Sequence, residues 1–230
     1  MEIEGARALV VGATGALGGG IATALHEAGA RVVAAGRDDE RLAAVAGDLG
    51  TAGQAVDVVD VRTCAQAVAG AVEELGGLDL LVVTVGVAAF GPAAELDEAV
   101  AEELYAVDVL GPVALVRAAA PHLRESGGTA AVLSAVLADL PTAGMADYSA
   151  AKAALSTWLQ VLRREERRAF RVLDVRPPHL DTGLETRALA GEPPRLPEGR
   201  PAGDVVDLVL QALREDASEI KVDGKEMIVR

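Results

Sequence analysis

Tyr148 and Lys152 stand four residues apart in the run Tyr148-Ser149-Ala150-Ala151-Lys152. On a helix that spacing puts both on one face, where the ammonium of Lys152 favours the ionised form of the phenol. A tyrosine tuned in this way can exchange a proton with a carbonyl or alcohol oxygen. About 130 residues upstream lies a glycine-rich turn, Gly12-Ala13-Thr14-Gly15-Ala16-Leu17-Gly18. It follows the apolar run Ala8-Leu9-Val10-Val11 and opens Ile21-Ala22-Thr23-Ala24-Leu25, so a strand feeds through the turn into a helix. Backbone N–H groups at such a helix start are unpaired and can receive a pyrophosphate. A dinucleotide held there, with a proton donor at Tyr148, describes hydride transfer from a nicotinamide coupled to proton transfer.

The elements that must bring these distant residues together alternate along the chain. Short Val/Leu/Ala runs at about 7–12, 31–35, 54–58, 78–84, 129–134 and 171–176 read as buried parallel strands. Longer segments of helical spacing lie between them, such as Arg41 to Val45 and Cys64 to Leu75. That order predicts right-handed crossovers and an α/β fold with a doubly wound, mostly parallel sheet in a single domain spanning 1–230. Gly76-Gly77 and Gly127-Gly128 are placed to stop helices just before strands. A helical stretch over 95–125 is interrupted at Gly111-Pro112, where a kink or boundary is expected. Another helix should run from about Asp147 to Arg168, ending in a solvated run of Arg and Glu. Segment 181–203 carries Pro193, Pro194, Pro197 and Pro201, with Pro178 just before it, and reads as a loop covering the substrate.

Composition bounds the partners. A formal charge of −14 argues against nucleic acid or an anionic membrane, because binding phosphate needs a basic footprint. Apolar residues make up 51% of the chain and aromatic ones only 2%, so the core must be built from Ala, Val and Leu. Cys64 is the one cysteine, and its surroundings suit helix packing better than reactivity. With no signal-like or membrane-spanning run to be read, a cytoplasmic protein is expected.

The glycine turn and the Tyr/Lys pair at this separation resemble the short-chain dehydrogenase/reductase family, a likeness that runs through nearly all 230 residues. It implies that Tyr148 is the proton donor and that Lys152 binds the nicotinamide ribose and tunes the tyrosine. It implies cofactor contacts from Gly12, Thr14, Gly15, Ala16, Leu17 and Gly18, from Asp57-Val58 beside the adenine, from Gly86, and from Pro177 and Thr182 at the nicotinamide. Gly36 occupies the position where NAD-specific sites place an acid, and Arg37 follows it, which favours NADP(H) over NAD(H). Phe90, Ala135, Met145, His179 and Leu184 are expected at the substrate, with Val136, Leu137, Leu180 and Leu189 completing a largely apolar lining. The resemblance also implies a homodimer or homotetramer, for which the helices near 100–125 and 148–168 offer small alanines together with Leu155, Trp158, Leu159 and Leu162.

The chain departs from the family pattern where it matters chemically. Thirteen residues before Tyr148, the usual serine is Ala135, with Ser134 next to it. Ser134 can replace it only if the strand end is shifted, because neighbouring strand residues point to opposite faces. The usual asparagine is Asp108, a carboxylate that can order a relay water or shuttle protons but offsets the charge of Lys152, so that Tyr148 should ionise at higher pH. The usual Asn-Asn-Ala-Gly segment is Val83-Thr84-Val85-Gly86, which predicts weaker support for the central sheet. Three readings follow. One is an NADP(H)-dependent ketone or aldehyde reductase, or the reverse alcohol dehydrogenase. Another is a redox-impaired protein that serves as a cofactor-binding regulator or scaffold. The third is a non-redox acid/base enzyme such as an isomerase, dehydratase or cyclase.

Overall fold

The computed structural model describes residues 1–224 and 226–230. Its eight strands are β1 (Arg7–Val11), β2 (Arg31–Gly36), β3 (Gln54–Ala55), β4 (Leu80–Val83), β5 (Thr129–Leu133), β6 (Arg171–Val175), β7 (Glu219–Asp223) and β8 (Glu226–Val229). They form one sheet in the order β3-β2-β1-β4-β5-β6-β7-β8, parallel except for the antiparallel last pair. Seven α-helices connect them: α1 (Ala16–Glu27), α2 (Asp39–Leu49), α3 (Val61–Leu75), α4 (Glu98–Tyr105), α5 (Gly111–Ser126), α6 (Ala146–Glu166) and α7 (Ala202–Arg214).

The apolar strand runs exist because both faces of the sheet are covered. Ala8, Val10, Leu80, Val82 and Leu173 pack toward α1 and α7. Their neighbours Leu9, Val11, Leu81, Val83 and Val172 pack toward α3, α5 and α6. With so few aromatics the core is indeed aliphatic, and Ala22, Ala71 and Ala119 are completely buried where helices press on the sheet. The order in which strands are added to the sheet reverses between the parallel neighbours β1 and β4, so their carboxyl ends open the crevice in which doubly wound folds bind ligands.

All six strands expected from the sequence form, and Gly76 and Gly127 end α3 and α5 in the left-handed conformation, with φ of 76° and 64°. The strands β7 and β8 and the helix α7 extend the fold beyond those expectations. Cys64 is buried in α3, and burial pushes its thiol up to about 11, which makes it inert. One expectation is corrected: Leu155 and Leu159 are wholly buried against their own sheet, so they cannot supply area to a partner subunit. No helix among the described residues is long and apolar enough to cross a membrane.

The edge of the sheet opposite the crevice is tied by one ion pair. Arg7 at the start of β1 donates from Nη2 to Asp79 Oδ1 at 2.7 Å and from Nε to Oδ2 at 2.8 Å, and its backbone N–H reaches Oδ2 at 2.9 Å. These bonds hold the Asp79 carboxyl below the usual carboxylate range. A depressed carboxylate stabilises the fold above its unfolded pKa, and that contribution is lost as pH falls through the folded value. Asp79→Asn should therefore lower stability by about 1 kcal/mol near neutral pH. Urea titrations should show the deficit shrinking once pH drops below the ordinary carboxylate range near ~4.

Candidate active site

The glycine turn is a cradle in which side chains would not fit. At Gly18 a Cβ would lie 2.3 Å from the Gly12 carbonyl oxygen and 2.5 Å from Thr84 Oγ1, while Gly12 itself has φ of +89°. No side chain caps α1, whose N-terminal neighbour Gly15 is extended, so the N–H groups of its first turn stay open to an anion. Gly15 and Ala16 are exposed, Thr14 is half-buried, and Leu17 is buried as the anchor of the helix. The chemistry of this surface fits a pyrophosphate.

Thr84 supplies what the sequence led us to expect was missing. Its backbone N–H and its hydroxyl both donate to the Val11 carbonyl, at 2.9 and 3.0 Å. One small side chain thus ties the end of β4 to the end of β1 and fills the space left by Gly12 and Gly18. The role was hidden in sequence because a threonine after a strand carries no special signal.

Tyr148 and Lys152 come from the start of α6, and Asp108 from the other side of the site. Asp108 sits in a π-helical turn, Ala106–Leu110, between α4 and α5. Pro112 has no N–H to offer the carbonyl four residues back, and the Gly111 N–H bonds five residues back to Ala106, which widens the helix at Asp108. Glycine is needed at 111 because a Cβ there would lie 2.7 Å from Val58 Cβ. The interruption expected at Gly111-Pro112 is therefore the device that aims Asp108 inward.

There Asp108 Oδ1 accepts the Val87 N–H at 2.9 Å, and Oδ2 lies 3.2 Å from Lys152 Nζ. The ammonium is 5.5 Å from the centroid of the Tyr148 ring. All three residues are buried, with side-chain exposure of 4% for Lys152 and 0% for Asp108. Gly86 closes the group, since a Cβ there would meet Lys152 Nζ at 3.2 Å and Asp108 Oδ1 at 3.3 Å. Burial raises the Tyr148 phenol above its usual pKa; Lys152 opposes this and Asp108 adds to it. Burial likewise raises Asp108, against the pull of Lys152. For Lys152 burial works downward, but Asp108 and then Tyr148 outweigh it, so the ammonium holds its proton. Such a group holds a proton on the phenol oxygen beside a cation.

Ser134 does not join this group, which corrects its candidacy as a catalytic residue. Its hydroxyl donates to Asp174 Oδ1 at 2.5 Å on the α6 side of the sheet, as strand alternation dictates. Ala135, extended at φ −168° and buried, is left to face the opposite way with no hydroxyl. Next to Tyr148, the side chains of Phe90 and Met145 form an apolar cluster with Leu104 and Ala151, joined by half-buried Leu137, Leu184 and Leu189. Leu180 belongs instead to the core beneath α1 and α7, which corrects its place in the expected lining. Segment 181–203 is mostly irregular and is tied down over this cluster: the Leu189 N–H donates to Ala88 O at 2.8 Å and the Phe90 N–H to Ala190 O at 2.9 Å.

Along the crevice, Pro177 is buried and accepts the Val136 N–H at 2.9 Å, His179 is half-buried, and Thr182 is half-buried at the start of the irregular segment. At the far end Asp57 is exposed, with Oδ1 accepting the Val59 N–H at 3.2 Å, and Val58 is buried. Arg37 is exposed after β2. An acid could not simply replace Gly36, whose Cβ would come within 2.9 Å of Thr14 Cγ2. Arg41, which sequence reasoning passed over, reaches back from α2 to the Thr14 carbonyl. Its spacing of four from Arg37 across the start of a helix was the available signal.

Comparison with known proteins agrees with this arrangement. The family model for short chain dehydrogenases matches residues 6–193. An uncharacterised oxidoreductase of Methylorubrum extorquens is 36% identical over 202 residues, covering 83% of this chain and 79% of its own. A 2,5-dichloro-2,5-cyclohexadiene-1,4-diol dehydrogenase of Sphingobium indicum is 30% identical over 235 residues, covering 96% and 92%. Among solved structures, a short-chain dehydrogenase from Burkholderia cenocepacia in complex with NADP superimposes with a TM-score of 0.85 at 30% identity, covering 97% of this chain and 90% of that one. With its glycine cradle, buried Tyr148 and Lys152, and parallel sheet, the chain belongs to the short-chain dehydrogenase family of oxidoreductases.

Proposed function

We propose that this protein is an NADP(H)-dependent carbonyl reductase acting on a small, uncharged, largely apolar ketone or aldehyde. The observation that carries the proposal is the buried group of Tyr148, Lys152 and Asp108, with Asp108 Oδ2 3.2 Å from Lys152 Nζ. A bound nicotinamide supplies the hydride. Tyr148 donates the proton to the substrate oxygen, Lys152 holds the nicotinamide ribose and keeps a positive charge under the phenol, and Asp108 fixes Lys152. Gly12, Thr14, Gly15, Ala16, Leu17 and Gly18 hold the pyrophosphate, Asp57 and Val58 flank the adenine, and Pro177 and Thr182 flank the nicotinamide. Phe90, Met145, Leu137, Leu184 and Ala135 exclude water around the substrate, with His179 at the rim.

The direction follows from charge. Because burial and Asp108 together keep the phenol protonated at neutral pH, Tyr148 is ready to act as an acid and unready to act as a base. Reduction needs the acid form, and alcohol oxidation the base form, so reduction is favoured. The cofactor preference is supported by exposed Arg37, by Arg41 beside the same turn, and by the steric exclusion of an acid at position 36. The NADP carried by the Burkholderia cenocepacia structure is in keeping with it. Assembly into a homodimer or homotetramer belongs to the same reading, with half-buried Trp158 and exposed Val161 giving α6 an outer apolar face.

The redox-impaired reading has one observation in its favour. With Ser134 committed to Asp174, no hydroxyl at the carboxyl end of β5 is left to hold the substrate oxygen. One such donor is worth on the order of 10²- to 10³-fold in turnover, so the loss slows the reaction without abolishing it.

Three experiments test the proposal. In a screen of carbonyl compounds followed at the nicotinamide absorbance, Tyr148→Phe should fall to background with cofactor affinity little changed. Ala135→Ser should raise kcat by up to roughly 10²-fold. If neither wild type nor Ala135→Ser consumes NADPH with any carbonyl, the non-redox readings take its place. By titration calorimetry NADPH should bind more tightly than NADH, and Arg37→Ala should cut that preference about tenfold; unchanged selectivity would refute the assignment. Asp108→Asn removes the anion that raises the Tyr148 pKa, so the alkaline limb of the reduction profile should move to lower pH. Alcohol oxidation should become measurable nearer neutrality in that variant.

A further inference from the structure

Six polar side chains that the proposed chemistry does not use are drawn together behind the site. Asp174, next to the end of β6 and completely buried, accepts Ser134 Oγ at 2.5 Å, Ser156 Oγ at 2.6 Å and Arg176 Nη1 at 2.9 Å. Arg176 spends both terminal nitrogens of its guanidinium in hydrogen bonds, and its Nε faces a carboxylate. Nη1 also reaches Ser156 Oγ at 3.1 Å, Nη2 donates to Glu219 Oε2 at 2.5 Å, and Nε lies 3.0 Å from Asp139 Oδ2. The six groups come from α6, β6 and β7 and from the residues that follow β5 and β6. Only Asp139 is much exposed, with 49% of its side chain open to solvent.

Such a cluster is poorly explained by stability. Buried ion pairs are often replaceable by apolar residues at no loss, and their best-attested use is to select one conformation. What these groups select is set by their neighbours in the chain. Arg176 precedes Pro177, at the expected nicotinamide wall. Asp139 ends the 3₁₀ turn Val136–Ala138, which carries Leu137 into the apolar cluster beside Tyr148. Ser134 precedes Ala135, and Ser156 lies one helical turn beyond Lys152. Apart from the Val136 N–H bonded to Pro177 O at 2.9 Å, the ion pair to Arg176 is what fastens this turn to β6.

We propose that Arg176 is a positioning residue whose ion pair with Asp139 latches the 136–140 turn to the end of β6 and so sets the width of the substrate side of the site. Resting on the carbonyl reductase reading, this latch acts on substrate fit and leaves proton transfer alone. Asp139 is the member to change, because it is exposed enough to be altered without stranding a buried charge. Asp139→Asn should raise KM for the carbonyl substrate about three- to tenfold, with kcat within about twofold and Tm within about 2 °C. Asp139→Glu should restore most of the difference. Glu219→Gln, which removes a partner of the same guanidinium on the side away from the turn, should leave KM unchanged.

Hydrogen exchange supplies a readout that needs no turnover. In Asp139→Asn the amides of Ala138, Asp139 and Leu140, which donate to Ala135 and Val136 carbonyls at 2.9–3.0 Å, should exchange about tenfold faster, while those of α3 stay as they were. Unchanged exchange there would overturn the latch even if no carbonyl were ever reduced. Faster exchange with an unchanged KM, or an equal rise of KM in Glu219→Gln, would overturn its role in substrate fit. A wild type that turns over no carbonyl would defeat the reductase reading and leave the latch to be judged by exchange alone.

Discussion

An ammonium and a carboxylate held 3.2 Å apart and out of water, Lys152 and Asp108, are the interaction on which the site depends. Removing one partner from a buried pair costs about 3–5 kcal/mol, because the other charge is then stranded. The pair therefore constrains everything that reaches it. It needs the π-helical turn that swings Asp108 inward, the Val87 N–H that satisfies its second oxygen, and the absence of a side chain at Gly86. In return it keeps a cation fixed beneath the Tyr148 ring.

The sheet supplies the distance over which these parts are assembled. Tyr148 and the glycine cradle lie far apart in sequence, yet both end up at the carboxyl edge, because every strand from β1 to β6 points the same way. The reversal of winding between β1 and β4 leaves the cradle on one side of the crevice and Gly86 on the other. Thr84 bridges that gap with two hydrogen bonds to one carbonyl. Such a bridge is stiff, which suits the proposed role of the turn in meeting a pyrophosphate with backbone atoms.

Much of this was legible in the chain. Period and punctuation gave away the strands β1 to β6 and the glycine helix stops, since an apolar run flanked by glycine has few other uses. The Tyr/Lys spacing and the glycine turn located the chemistry. What escaped notice was decided by contacts between remote segments. Glu219-Ile220-Lys221-Val222-Asp223 does alternate, but its charges make it read as surface until β8 and Arg176 are seen against it. Asp174 interrupts the apolar run from Val172 to Val175 and Arg176 follows it, and nothing local says that Ser134 and Ser156 wait for them. Leu155 and Leu159 looked available to a partner because helical spacing alone does not tell which stripe meets the sheet.

The fate of Ser134 shows how little separates two chemistries in such a fold. A shift of one residue along β5 exchanges the faces of the sheet, so a hydroxyl at 134 is drawn into the Asp174 network while a hydroxyl at 135 would face the substrate. Hydrogen bonding to a buried carboxylate also makes Ser134 costly to move, since the acceptor would be left short of a partner. The site must then do without a second donor and rely on a phenol that keeps its proton. Burial and Asp108 raise the Tyr148 pKa and make it a weaker donor, while the fixed ammonium of Lys152 opposes them by stabilising the phenolate once the proton leaves. On the proposed reading, reduction draws on the protonated phenol of Tyr148, and the reverse reaction waits for a pH at which it is ionised.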